Sequence, residues 1–93
     1  MSEFELLKEK KKIVREKFGI KEIGLFGSFA KGCARPDSDI DVIVEFEKPV
    51  DIFEFLDVKE FLENLFGRKV DLVTKKSLKP LLRDKILEEA LYA

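Results

Sequence analysis

Ser38-Asp39-Ile40-Asp41-Val42-Ile43-Val44-Glu45-Phe46 is the stretch from which the rest of the chain can be read. Ile40, Val42, Val44 and Phe46 alternate strictly, which is the period of a strand with one apolar face. Asp39, Asp41, Ile43 and Glu45 take the opposite face. Carboxylates two residues apart on a strand leave the same side, separated by roughly twice the ~3.3 Å rise per residue. Behind an aliphatic face such a pair has no packing use, and the two charges raise each other's pKa. A divalent cation removes the conflict. Mg²⁺ takes one or two carboxylates together with waters and phosphate oxygens. Taken alone, Asp-x-Asp is also what a solvent-facing strand end looks like, so its neighbours decide the reading.

Upstream, Ile20 to Phe26 reads as a strand that runs into Gly27-Ser28. Glycine lets a ligand approach the backbone closely, the free amides at a helix start favour anions, and a Ser hydroxyl adds a donor. Phosphate is the natural ligand for such a turn, although Ser28 as an ordinary N-cap is the commoner use of that residue. The spacing of a P-loop is missing. Phe29 to Gly32 has room for one or two helical turns, and Cys33 to Ser38, with Arg35, Pro36 and Asp37, reads as a loop.

Downstream, Asp51 caps a helix from about Ile52 to Phe66, and Gly67 closes it. Its apolar residues Ile52, Phe53, Phe55, Leu56, Val58, Phe61, Leu62, Leu65 and Phe66 cover more than one stripe. Either the helix is nearly surrounded or a second face meets a partner, and in so small a domain the partner is favoured. Lys69 to Thr74 is a third strand, with Asp71 and Val73 opposite Val70 and Leu72. If the strands are neighbours, Asp39, Asp41 and Asp71 line one face. Two would then hold a nucleotide's metal, and the third would help hold a second metal or accept a proton from the attacking hydroxyl. The plainer alternative for Asp71 is an ion pair with Lys69 or Arg68. The ends of the chain read as helix, from Ser2 to Phe18 with Phe4, Leu7, Val14 and Phe18 on one face, and from Ser77 to Tyr92 with Pro80 interrupting its first turn. The Lys8 to Lys12 run is most simply a solvated helix face.

Helix, strand, short helix, strand, helix, strand, helix gives an α+β fold: a small mixed sheet with helices packed on one face. A length of 93 residues is expected to form a single domain, residues 1–93. The 18 basic and 19 acidic residues leave no global charge with which to coat nucleic acid or an anionic membrane. With no His there is no His-based acid–base chemistry or His metal site, and one Cys leaves no internal disulfide or Cys-rich zinc site. The apolar runs are too short to span a bilayer and the N-terminal stretch is charged, so the expected setting is cytoplasmic.

Gly27-Ser28-Phe29-Ala30-Lys31-Gly32, five residues, then Ser38-Asp39-Ile40-Asp41-Val42-Ile43-Val44 resembles the signature of the DNA polymerase β-like nucleotidyltransferases, and more narrowly that of the minimal nucleotidyltransferases of bacteria and archaea. The resemblance implies a palm-like mixed sheet, Mg²⁺-dependent attack on an α-phosphate and release of pyrophosphate. Carried over by position, Gly27, Ser28, Lys31 and Ser38 would bind the nucleoside triphosphate, expected to be ATP. Asp39 and Asp41 would ligate Mg²⁺, with Asp71 as the third catalytic and metal-binding carboxylate. Lys31 stands where Arg is commoner, supplying charge without the bidentate fork. The minimal members lack an acceptor-binding domain. The resemblance therefore implies a partner, a helical HEPN-type toxin of which a Tyr is adenylylated, with this chain as antitoxin. The greasy Ile52 to Phe66 helix would suit such docking or a homodimer. The competing expectation is a binding module that neutralises its partner by contact alone. A nucleic-acid or small-molecule acceptor is disfavoured by the balanced charge.

Overall fold

The computed structural model describes residues 2–27 and 39–93. The expected short helix at residues 29–32 and the loop after it lie outside the described residues. The chain runs α1 (Glu3–Phe18), β1 (Ile20–Phe26), β2 (Ile40–Phe46), α2 (Ile52–Phe66), β3 (Val70–Thr74), a 3₁₀ turn (Lys75–Ser77), α3 (Pro80–Glu89) and β4 (Leu91–Tyr92).

Both long helices begin and end on the residues that their sequences provide. The Ser2 hydroxyl accepts from the Glu5 amide at 3.2 Å, and the Asp51 carboxylate accepts from the Glu54 amide at 2.8 Å. Gly19 and Gly67 close the C-termini in the left-handed conformation.

The sheet is mixed, in the order β3-β2-β1-β4. β1 and β2 are antiparallel, while β2 and β3 are parallel and joined by the α2 crossover. Ile20, Ile23 and Leu25 of β1, Ile40, Val42 and Val44 of β2, and Val70 and Leu72 of β3 face α1 and α2. They bury Leu7, Val14, Val58, Leu62 and Phe66 in one core. Phe18 and Phe61 meet edge to face across the two helices, 5.5 Å between centroids. At the β3 edge the first amide is not left open. Val70 N–H donates to the Glu63 carboxylate of α2 at 3.0 Å.

The chain's end departs from the sequence expectation. Ser77 to Tyr92 is not one helix. α3 stops at Glu89, and Leu91–Tyr92 pairs antiparallel with Leu25 and Gly24 as a fourth strand, continued by Ala93 N–H donating to Ile23 C=O at 3.0 Å. Pro80 does not interrupt a turn but starts the helix, where its missing N–H costs nothing. α3 contributes no fully buried side chain, and Leu81 is 95% exposed.

Candidate active site

Strand alternation writes the second face of the sheet in rows. Asp71 of β3 is the register partner of Asp41 of β2, and Asp41 is the partner of Phe26 of β1. The next row holds Val73, Ile43, Gly24 and Tyr92. Parallel neighbours put the Asp41 and Asp71 backbones about 4.8 Å apart. Asp39 precedes β2 on the same face and is exposed, as is Asp71, whereas Asp41 is half-buried. The three carboxylates expected from the sequence to share a face therefore do so.

Their electrostatics follow from that arrangement. Burial pushes the Asp41 carboxyl above its ordinary value, and the negative charges of Asp71 and Asp39 push it further. Among the described residues no Lys or Arg forms an ion pair with any of the three. Arg68, an alternative partner for Asp71, instead lies 3.7 Å from Glu3.

Gly27 backs directly onto this acid. It has φ +67°, and a Cβ built on it would lie 2.3 Å from Asp41 Oδ2. The position therefore demands glycine twice, for the left-handed backbone and for the missing side chain. Ser28, Lys31 and Ser38, the other expected nucleotide-binding residues, lie outside the described residues.

The donor set fits a hard cation. Among the described residues Asp39, Asp41 and Asp71, like every other group of three His, Cys, Asp or Glu side chains, are not drawn together closely enough to hold a metal ion by themselves. They form an open row instead, which suits an ion such as Mg²⁺ that keeps waters and phosphate oxygens in its shell. A cavity of about 500 Å³, lined in part by Lys11, Lys12, Arg15 and Glu47, sits at the Ile20–Phe46 end of the sheet, away from this row.

Sequence reasoning missed the rest of the face. Phe26 shares the acidic row. Lys75, just past β3, crosses β2 to pair with Glu22 of β1, and its Nζ lies 4.9 Å from the centre of the Tyr92 ring. That pairing lowers the Glu22 pKa and raises that of Lys75, each chiefly through their mutual hydrogen bond. The alternation of β1 signals Glu22, Gly24 and Phe26. Tyr92 was not readable without β4.

A palm-like mixed sheet presenting a glycine turn against paired carboxylates defines a nucleotidyltransferase. Residues 7–93 match the nucleotidyltransferase domain family, and the chain belongs to that family. It is 45% identical over 87 residues to the protein adenylyltransferase MntA of Thermococcus cleftensis, covering 94% of this chain and 88% of that protein. A solved minimal nucleotidyltransferase structure superposes with a TM-score of 0.80 at 36% identity, covering 98% of this chain and 95% of that one. The Shewanella oneidensis complex of a tri-AMPylated HEPN toxin with MNT antitoxin shares the fold, with a TM-score of 0.68 at 21% identity over 95% of this chain and 69% of that one.

Proposed function

We propose that this chain transfers the adenylyl group of ATP to a tyrosine of a helical HEPN-type partner and thereby acts as its cytoplasmic antitoxin. The observation that carries the reading is the register pairing of Asp41 with Asp71 beside a glycine turn that could not hold a side chain. The named activity of the Thermococcus cleftensis relative supports adenylyl transfer, and the Shewanella oneidensis complex supports the kind of partner.

Asp39, Asp41 and Asp71 would hold Mg²⁺, which when bound neutralises the triphosphate and the charge that develops on pyrophosphate. Gly27 brings its backbone to the phosphates, with Ser28, Lys31 and Ser38 as further phosphate donors. The partner's phenolic oxygen attacks the α-phosphorus. The new P–O bond forms as the bond to the β-phosphate breaks, and pyrophosphate leaves with the electron pair. Asp71, the more exposed member of the Asp41–Asp71 pair, would take the phenolic proton. Ile52, Phe53 and Leu56, which are 60%, 74% and 48% exposed on the first turns of α2, are the docking surface.

The test uses α-labelled ATP with Mg²⁺, this chain and the product of the adjacent gene. Label is expected on the partner and is expected to vanish with Asp39→Asn. A stable complex that carries no label would replace this reading with neutralisation by contact alone.

A further inference from the structure

On the second face of the sheet, the row next to the acids ends in Tyr92, the only tyrosine of the chain. Its ring stands over Gly24. A Cβ on Gly24 would point out of this face and meet Leu91 O at 2.8 Å, with Tyr92 Cα and Cδ1 both at 3.1 Å. Glycine at that position is what lets β4 pair so closely along the edge of β1, with Tyr92 on the face that carries Asp41 and Asp71. The ring is then held from above by Lys75, whose ammonium is itself fixed by Glu22.

The hydroxyl is treated differently from the ring. Among the described residues it has no hydrogen-bond partner, and the side chain is 37% exposed. A ring fixed in this way presents its hydroxyl to solvent, where an incoming substrate can meet it. Two strand spacings across and two residues along separate Tyr92 from Asp41, about 12 Å between Cα atoms. The two side chains, with a triphosphate held at the acidic row, would span that distance.

We infer that Tyr92 is an acceptor for the chain's own nucleotidyl transfer, so that in the absence of a partner the protein modifies itself at this residue. The inference rests on the nucleotidyltransferase reading of the carboxylate row. The Tyr92 oxygen attacks the α-phosphorus of a nucleoside triphosphate, and a phosphodiester to Oη forms. The bond to the β-phosphate breaks, pyrophosphate departs with its electron pair, and the phenolic proton passes to a carboxylate of the row or to water. The bulky adduct would then lie on the face that must admit the next triphosphate, so self-modification would lower later transfer to a partner.

Intact-mass measurement tests this on the full chain, incubated with Mg²⁺ and α-labelled ATP, alone and beside the adjacent gene's product. Alone, the chain is expected to gain one adenylyl group, mapped to the peptide that contains Tyr92. The fraction modified per unit time should not depend on protein concentration, as transfer within one chain requires. Tyr92→Phe keeps the ring under Lys75 and is expected to stay unmodified, as is Asp41→Asn. A labelled partner beside an unlabelled chain, or label at another residue, overturns this inference and leaves the proposed function standing. A modification rate that rises with protein concentration overturns the intramolecular geometry. Label on neither protein overturns both readings.

Discussion

Replacing Gly27 with alanine puts a methyl group 2.3 Å from Asp41 Oδ2 on a backbone with φ +67°. The turn and the carboxylate cannot both keep their places. The expected outcome is a loss of transfer of about 100-fold or more, the scale of a misplacement near 1 Å at a reacting centre. Labelled transfer measured beside a thermal melt separates this from simple unfolding, because a left-handed glycine costs only about 1 kcal/mol to replace. Asp41 makes a second prediction at this scale. Its native pKa lies above its unfolded value, so between the two values the native state binds the extra proton. Stability of the metal-free protein therefore rises as pH falls from neutral through the native pKa and levels off below the unfolded one. Asp41→Asn removes that liability. Without metal it is expected to melt higher than the parent at neutral pH, and the gap should close as the pH is lowered toward about 4, near the ordinary Asp value. A gap that stays constant with pH would mean that charge is not its cause. The same substitution is expected to abolish transfer.

The elements divide into those held by the core and those held at an edge. Leu62 is fully buried between α2 and the sheet, so Leu62→Ala is expected to cost about 2–5 kcal/mol in a denaturant titration. Asp51→Ala, which removes one N-cap bond on an exposed turn, is expected to cost only ~1 kcal/mol. Strand β2 was legible because Ile40, Val42, Val44 and Phe46 alternate without a break, β1 because its apolar residues run up to Gly27 even though its register shifts between Ile20 and Glu22, and both helix caps were written in Ser2, Gly19, Asp51 and Gly67. The last element was not. Leu91-Tyr92 is too short to show a period, and what makes it a strand is the exposed edge of β1, supplied by the far end of the sequence. Pro80 was misread for a related reason, since only the true helix start shows that it begins the helix and does not interrupt one begun at Ser77. The acidic row followed from two alternations read separately, those of β2 and β3, but its alignment depended on Asp71 facing Asp41 rather than sitting one residue off, and that register is a product of packing. Tyr92 and Lys75 depend on tertiary reach and left no local trace.

At the scale of the whole molecule, large apolar side chains meet solvent in several places among the described residues, Leu81 and Leu82 of α3 included, and the first turns of α2 expose Ile52, Phe53 and Leu56 together. Phe53→Asp is expected to change folding stability by no more than about 0.5 kcal/mol, as for an exposed site, helped by an acidic residue in the first helical turn. It is also expected to weaken binding to the partner by tenfold or more, about 1.4 kcal/mol. Titration calorimetry checks the second expectation and a thermal melt the first. Binding that is unaffected by the change would move the docking surface elsewhere on the molecule.

The parallel register of β2 and β3 also bears on how such a protein can drift. A slip of one residue would turn Asp71 into the core and bring Val70 and Leu72 out into water. The alternation that keeps the interior dry is therefore the same alternation that lines up the acids. Mutations that preserve folding preserve that register but not the acids themselves: Asp41, whose charge weighs against the metal-free fold, would be the first to be lost in a lineage where the reaction went unused.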